Sequence, residues 1–491
     1  MMEEKEVLAR SRPPLMDVPV DGNFAGRLTP TLRTELYGWA LLPMVALALA
    51  GILALMLALA RAPGAEQILP WTGPDFFRRL LVVHVVFALV VWVMGVQGAL
   101  TVAVTAQAAR DNREAIGTLG AIFGRLGLYG AYISFILLIA PAVADLGEPS
   151  LNNYIPLLRH PVFFAGLIVL GISVALPVLR LILLLAHQRR PEAGSFGVAC
   201  GGLIYLLALV CIAAAALTLP QNAGAEGEAE YLVWGGGHVL QFANTALMLS
   251  AFYLLSRVGL GETPLTPAWF RGLMLVLVAA AAAGPLSYLT YEGGDPTLRM
   301  HFTYLYWFGL PLPTLAVLIG VAVLLFKRRK DLREGAPELK AVAAAIFLFA
   351  FGGILGFFEG SVDTRTPAHY HAMLIACALS FMALYFGLFF PLLARRTSRR
   401  HLRTAMYLLL AGGQFLHSLG LYIAGTQGMG RKIAGAQQDI DTTAKYISLG
   451  LQGFGGVIAV IGGIIFIWLA AKLLLARQKQ GGTAGAVPGH H

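Results

Sequence analysis

Charge is scarce in this chain. Of 491 residues only 13% are Asp, Glu, Lys or Arg and 57% are hydrophobic, whereas a soluble domain carries about a quarter charged residues. No polar stretch is long enough for a sizeable aqueous domain, so the composition describes an all-α integral membrane protein. Cysteine is scarcer still. Cys200, Cys211 and Cys377 are scattered through apolar segments without a CxxC or CxxCH spacing. That excludes a disulfide framework, a covalently attached c-type haem and a thiolate metal cluster, and leaves the three thiols as packing residues. Residues 1 to 35 carry Arg10, Arg12, Pro13, Pro14, Arg27 and Arg33 but lack the short apolar core and small-residue cleavage site of a signal peptide. They are expected to form a cytoplasmic tail. Acid is rarer than base, 26 residues against 36 for a net charge of +10. In a soluble domain such a surplus suggests nucleic acid. Here the bases are dispersed over loops, so no nucleic-acid partner is expected.

Twelve apolar segments fill the rest, each near or above the roughly 20 residues that cross a bilayer as a helix. The expected limits are Gly38–Leu59, Leu80–Thr105, Gly117–Ala144, Pro161–Ala186, Phe196–Leu219 and Tyr231–Leu255, then Ala268–Thr290, Thr303–Phe326, Glu338–Phe358, Pro367–Phe390, Arg403–Ala424 and Ala444–Leu475. The chain divides into a tail at 1–35, a twelve-helix membrane domain at 36–476 and a tail at 477–491. Lys and Arg mark cytoplasmic loops. They recur on the N-terminal side: Arg110 and Arg113, Arg189 and Arg190, Arg257, the run Lys327 to Lys330 with Arg333, then Arg395, Arg396, Arg399 and Arg400, and finally Arg477 and Lys479. Opposite loops are poorer in base, and the one before segment six carries Glu226, Glu228 and Glu230. A multi-pass protein of the cytoplasmic membrane with both termini inside is the expected topology.

That topology places the histidines by depth. His84 is early in segment two, His238 early in segment six, His369 and His371 early in segment ten, and His301 in the outer connection before segment eight. All five fall in one outer layer. His160 and His417 read as structural or peripheral, and His187 and His401 as solvated loop residues. Ionisable groups inside spans are expensive and functional by default. His369 and His371 are two residues apart, about 200° around a helix, so one helix presents imidazoles on opposite faces and can serve two cofactors. With a further histidine from a second helix, this supplies a six-coordinate haem for electron transfer beside a five-coordinate haem open to a small gas. His238 and His301 remain as a candidate non-haem metal site.

The layout resembles catalytic subunit I of the haem-copper oxidase superfamily, over about residues 36 to 476. The resemblance implies that His84 and His371 hold the low-spin haem and His369 the high-spin haem. It implies that His238 and His301 hold the second metal. Asp363-Thr364 resembles the family's Asp-Thr before helix ten. Gly428-Met429-Gly430-Arg431-Lys432 resembles its run before helix twelve, whose basic pair, here Arg431 and Lys432, holds haem propionates.

Several positions depart from the family pattern. Phe242 stands one turn after His238, where oxygen-reducing members carry a cross-linked tyrosine. Phe302 replaces the second of the paired histidines, Leu240 stands where many proton pumps have an acid, and segment eight has no lysine before Lys327. Oxygen reduction takes four electrons, one drawn from the tyrosine, whereas reducing two nitric oxide molecules to nitrous oxide takes two. The departures therefore point to a nitric oxide reductase-like oxidoreductase, with iron expected at the second site and copper as the alternative. Gln241, one turn from His238, and Glu292 and Asp295, just before His301, are the candidate additional ligands or proton carriers. The alternatives are an oxygen reductase whose tyrosine comes from Tyr288, Tyr291, Tyr304 or Tyr306, and a non-catalytic dihaem electron-transfer or gas-sensing protein. Electrons are expected from a partner subunit or a cytochrome c or cupredoxin-type carrier, with the acidic run at Glu226 as a guide for a basic one.

Overall fold

The computed structural model describes residues 28–60, 74–109, 116–152, 155–220, 224–360, 362–433 and 438–476. The expected tail residues Arg10, Arg12, Pro13, Pro14 and Arg27, the loop bases Arg110 and Arg113, and Arg477 and Lys479 lie outside them. Among the described residues twelve helices are long and apolar enough to cross a membrane. They are α1 (Pro30–Ala60), α2 (Asp75–Ala108), α3 (Gly117–Val143), α4 (Pro161–Ala186), α5 (Ala193–Leu217), α6 (Gly224–Leu260), α7 (Pro267–Thr290), α8 (Pro296–Lys327), α9 (Pro337–Gly356), α10 (Arg365–Leu392), α11 (Arg400–Thr426) and α12 (Thr443–Leu475). A span in lipid must satisfy its backbone within itself, which is why each apolar run folds as helix. A two-stranded antiparallel hairpin, β1 (Glu148–Ser150) and β2 (Leu157–Arg159), joins α3 to α4.

Sequential helices pack as neighbours, and α9 also packs on α11, α5 on α7 and α12 on α1. Three helices lie innermost: α6, α10 and α2 have 83%, 78% and 67% of their most apolar stretch buried, against 33% for α3, α7 and α12. The inner three carry His238, His369 with His371, and His84. The outer helices expose Leu and Ile along one face, as lipid contact demands.

Several helices begin before their expected limits, among them α1 at Pro30 rather than Gly38 and α2 at Asp75 rather than Leu80, and two of the shifts bear on the site. The structure puts His301 inside α8, in its second turn, because Asp295 caps that helix and Pro296 occupies its first turn. The polar Thr297 and Arg299 hide this start from a hydropathy window. Likewise α6 begins at Gly224, so Glu226, Glu228 and Glu230 belong to its first turns rather than to a loop.

Packing at the end of the bundle that holds the start of α1 is secured by buried charge. Arg180 of α4 meets Glu35 of α1 at 2.7 Å with both side chains 2% exposed, and Arg180 Nη1 donates to the Gly120 carbonyl of α3 at 3.2 Å. Gly124 of α3 makes room: a Cβ there would lie 2.2 Å from Arg180 Nη1 and 2.3 Å from Glu35 Oε1.

Candidate functional site

Imidazole orientation is set by main-chain carbonyls. His84 lies 2.9 Å through Nδ1 from the carbonyl of Ala50 on α1. His369 does the same with Gly352 on α9, at 2.7 Å. A carbonyl only accepts, so Nδ1 carries the proton and Nε2 keeps its lone pair, the form in which histidine binds a metal. Close packing allows this: a Cβ on Gly356 of α9 would stand 2.7 Å from His369 Nδ1. A π-helical turn, Val86–Val91, directly follows His84 and shifts the phase of the rest of α2. Such turns concentrate at functional sites.

His371 points elsewhere. Its ring centroid is 5.1 Å from that of His417 on α11, with the planes at 57°. His84, His369 and His371 are all half-buried although they sit on the innermost helices. Three imidazoles, two with Nδ1 tied to a neighbouring helix, suit axial ligation of two haems, so this donor set fits.

The rim at the start of α10 has its own architecture. Asp363 bridges Gly430 in an isolated antiparallel contact, Thr364 N–H donates to the Met429 carbonyl at 3.0 Å, and Arg431 N–H donates to Val362 at 3.2 Å. The segment before α10 and the one after α11 are thus joined, which sequence spacing did not indicate. Gly428, at φ +78, makes the turn that a side chain would strain. Asp363 is held below the usual carboxylate range by its paired hydrogen bonds from Arg365. Lys432 donates through Nζ to the carbonyls of Leu151 and Asn152 in the α3–α4 connection. Burial first, then the neighbouring Arg431, pushes its ammonium down to about 8.

The surroundings of His238 are aromatic. The residue is 5% exposed, and its Nδ1 lies 2.9 Å from the carbonyl of Trp234 one turn back. Ring centroids of Trp234, Phe302 and Tyr306 lie 4.9, 5.7 and 5.9 Å from its own. Tyr306 also packs edge-on against Phe242. Above them Arg299 stacks on Trp234 at 4.4 Å and pairs with Glu230 at 3.2 Å, so part of the acidic run is engaged within the protein.

His301 does not share this enclosure, since its ring packs 5.5 Å from Tyr291. Consecutive helix residues diverge by about 100°, and it is Phe302 that faces His238. Gln241 is half-buried one turn along α6. Glu292 is exposed in the α7–α8 turn. Asp295 is committed as a helix cap, accepting from Thr297 N–H at 2.7 Å, and that bond holds its carboxyl low. Among the described residues no three or more His, Cys, Asp or Glu side chains are grouped to hold a metal ion. His238 faces Phe302 and His301 packs against Tyr291, so the two expected imidazoles are turned to different neighbours. Residues that sequence reasoning missed are Trp234, Arg299 and the close approach of His417 to His371. Arg299 alone left a trace, as a base two residues before His301.

Comparisons with known proteins agree with the fold. The family described as Cytochrome C and Quinol oxidase polypeptide I matches residues 37–468. An uncharacterized protein of Rickettsia prowazekii (strain Madrid E) is 22% identical across 89% of this chain and 95% of its own. One of Aquifex aeolicus (strain VF5) is 26% identical across 71% of this chain and 83% of its own. Among solved structures, a heme-copper terminal oxidase dimer aligns with a TM-score of 0.73 at 15% identity, covering 93% of this chain and 86% of the other.

Proposed function

The chain belongs to the cytochrome c and quinol oxidase polypeptide I family, subunit I of the haem-copper oxidases, and from that premise we propose that this membrane oxidoreductase reduces nitric oxide to nitrous oxide. The observation that carries the reading is the pair Phe242 and Phe302. One stands a turn beyond His238 and the other lies against its ring, so neither a cross-linkable hydroxyl nor a second imidazole occupies those places. Two nitric oxide molecules, two electrons and two protons give nitrous oxide and water, a demand that does not need an oxidisable tyrosine.

His84 and His371 would hold one haem and His369 the other. When bound, the haems supply one-electron transfer and gas binding. The protein contributes the rest. Ala50 and Gly352 fix two ligand rings, while Trp234, Phe242 and Phe302 keep water from the gas side. Nε2 of His238, a proton acceptor because Nδ1 faces the Trp234 carbonyl, and the hydroxyl-bearing ring of Tyr306 are the polar groups beside it. Arg431 and Lys432 supply positive charge at the outer rim, suited to propionates. No step is assigned to a second metal, to Gln241 or to Glu292. Electrons would come from a cytochrome c or cupredoxin-type carrier or a partner subunit, and both termini would face the cytoplasm.

Oxygen reduction is the second reading, and Tyr306 favours it, because a hydroxyl-bearing ring from α8 packs against His238. Purified protein assayed for haem, iron and copper, and for turnover of each gas with a chemical reductant, separates the two. Nitrous oxide formation without oxygen uptake supports the first reading. Oxygen uptake with one copper per chain, and no nitrous oxide, overturns it.

A further inference from the structure

Three interior imidazoles share one arrangement that sets them apart: each places Nδ1 against a main-chain carbonyl of a different helix. Two are His84 and His369. The third is His417 of α11, 2.9 Å from the carbonyl of Gln452 on α12. His238 and His187 use carbonyls of their own helix, four residues back. The contact at His417 depends on an unusually close pairing of α11 and α12. A Cβ on Gly455 would lie 2.4 Å from the backbone nitrogen of His417, and one on Gly420 would lie 2.5 Å from that of Gln452.

With Nδ1 donating to Gln452, the accepting lone pair of His417 is on Nε2. The ring lies beside His371, centroids 5.1 Å apart. Two imidazoles joined by an N–H···N bond of about 2.9 Å have centroids about 5 Å apart. A metal held in line between two rings, with bonds of about 2 Å, separates them by roughly 6 Å. The observed spacing matches a neighbour of His371 rather than its partner across an iron. We propose that His417 is a positioning residue for the low-spin haem: Nε2 of His417 accepts the ring N–H of His371, as the Ala50 and Gly352 carbonyls do for the other two ligands. The proposal rests on His371 being a haem ligand.

An acceptor on the far nitrogen makes a ligating imidazole more basic and favours the oxidised iron. Removing the acceptor raises the midpoint potential without removing the ligand. The test uses the holoprotein with both haems, reading the low-spin midpoint by spectroelectrochemistry and the ferric low-spin signal by electron paramagnetic resonance. His417→Leu is expected to keep the low-spin haem and shift its midpoint upward, approaching a tenfold change in the reduction equilibrium, 59 mV for one electron. His417→Gln, whose amide oxygen restores an acceptor, is expected to reverse most of that shift. Should the leucine chain not accumulate, His417→Phe fills the ring volume without an acceptor and carries the same expectation. An unchanged midpoint overturns the proposal, as does an equal shift in the glutamine variant. Loss of the low-spin signal in every variant also overturns it, by making His417 a ligand itself. His371→Ala tests the underlying assignment separately: a low-spin haem that survives it removes His371 as a ligand, whatever His417 does.

Discussion

Tyr306 is the side chain whose hydroxyl comes nearest to doing what Phe242 cannot. A positioned proton donor contributes about 10² to 10⁴-fold to rate, so Tyr306→Phe should lower turnover roughly a hundredfold while leaving both haem spectra intact. Stopped-flow turnover against the absorption spectrum checks this, and an unaltered rate would reduce Tyr306 to packing. Lys432 makes a prediction about pH. Its folded value, about 8, lies below the unfolded value of about 10.4, so between the two the unfolded chain binds more protons. Stability from this group therefore rises as pH climbs through that window. Lys432→Met should flatten the rise of Tm between pH 8 and 10 in detergent; a slope equal to the parent's contradicts the assignment. Residue types were legible in the sequence, because an imidazole in an apolar run stands out. Orientation was not: whether His301 or Phe302 faces His238 depends on a helix start that a cap and a proline set, and the carbonyls of Ala50 and Gly352 have no side-chain signature.

At the level of elements, apolar length alone identified all twelve helices, because lipid permits few alternatives to a helix. Their ends were misjudged where polar first turns are involved, as in α6 and α8, since capping rather than hydropathy places them. The packing of α1, α3 and α4 was invisible, resting on an ion pair between residues 145 positions apart and on the absence of a Cβ at Gly124. Gly124→Ala should push Arg180 from Glu35 and cost about 3 kcal/mol, near the lower end for a broken buried pair. Gly51→Ala is the matched control, because a Cβ there meets nothing within 4 Å. Thermal unfolding of the two variants should separate them clearly, and equal Tm values would mean that the bundle yields at this seam.

For the whole molecule, basic residues on alternate loops predict the orientation, and the chain is suited to testing it because its three cysteines are buried. In intact cells an impermeant maleimide should label Glu292→Cys, whereas Lys330→Cys should react only after lysis. The reverse pattern inverts the topology. The family relation was legible from the spacing of five histidines across four helices. What distinguishes this chain from the family pattern is also in the sequence, as Phe242 and Phe302, but their meaning needed the enclosure of His238 to be seen in space. The carbonyl tethers of His84 and His369 have a consequence for heredity. No codon specifies the acceptor, so no single substitution deletes it, and the ligand geometry can outlast extensive drift of the surrounding side chains. His371, resting on another imidazole, lacks that protection: one base change in codon 417 reaches it.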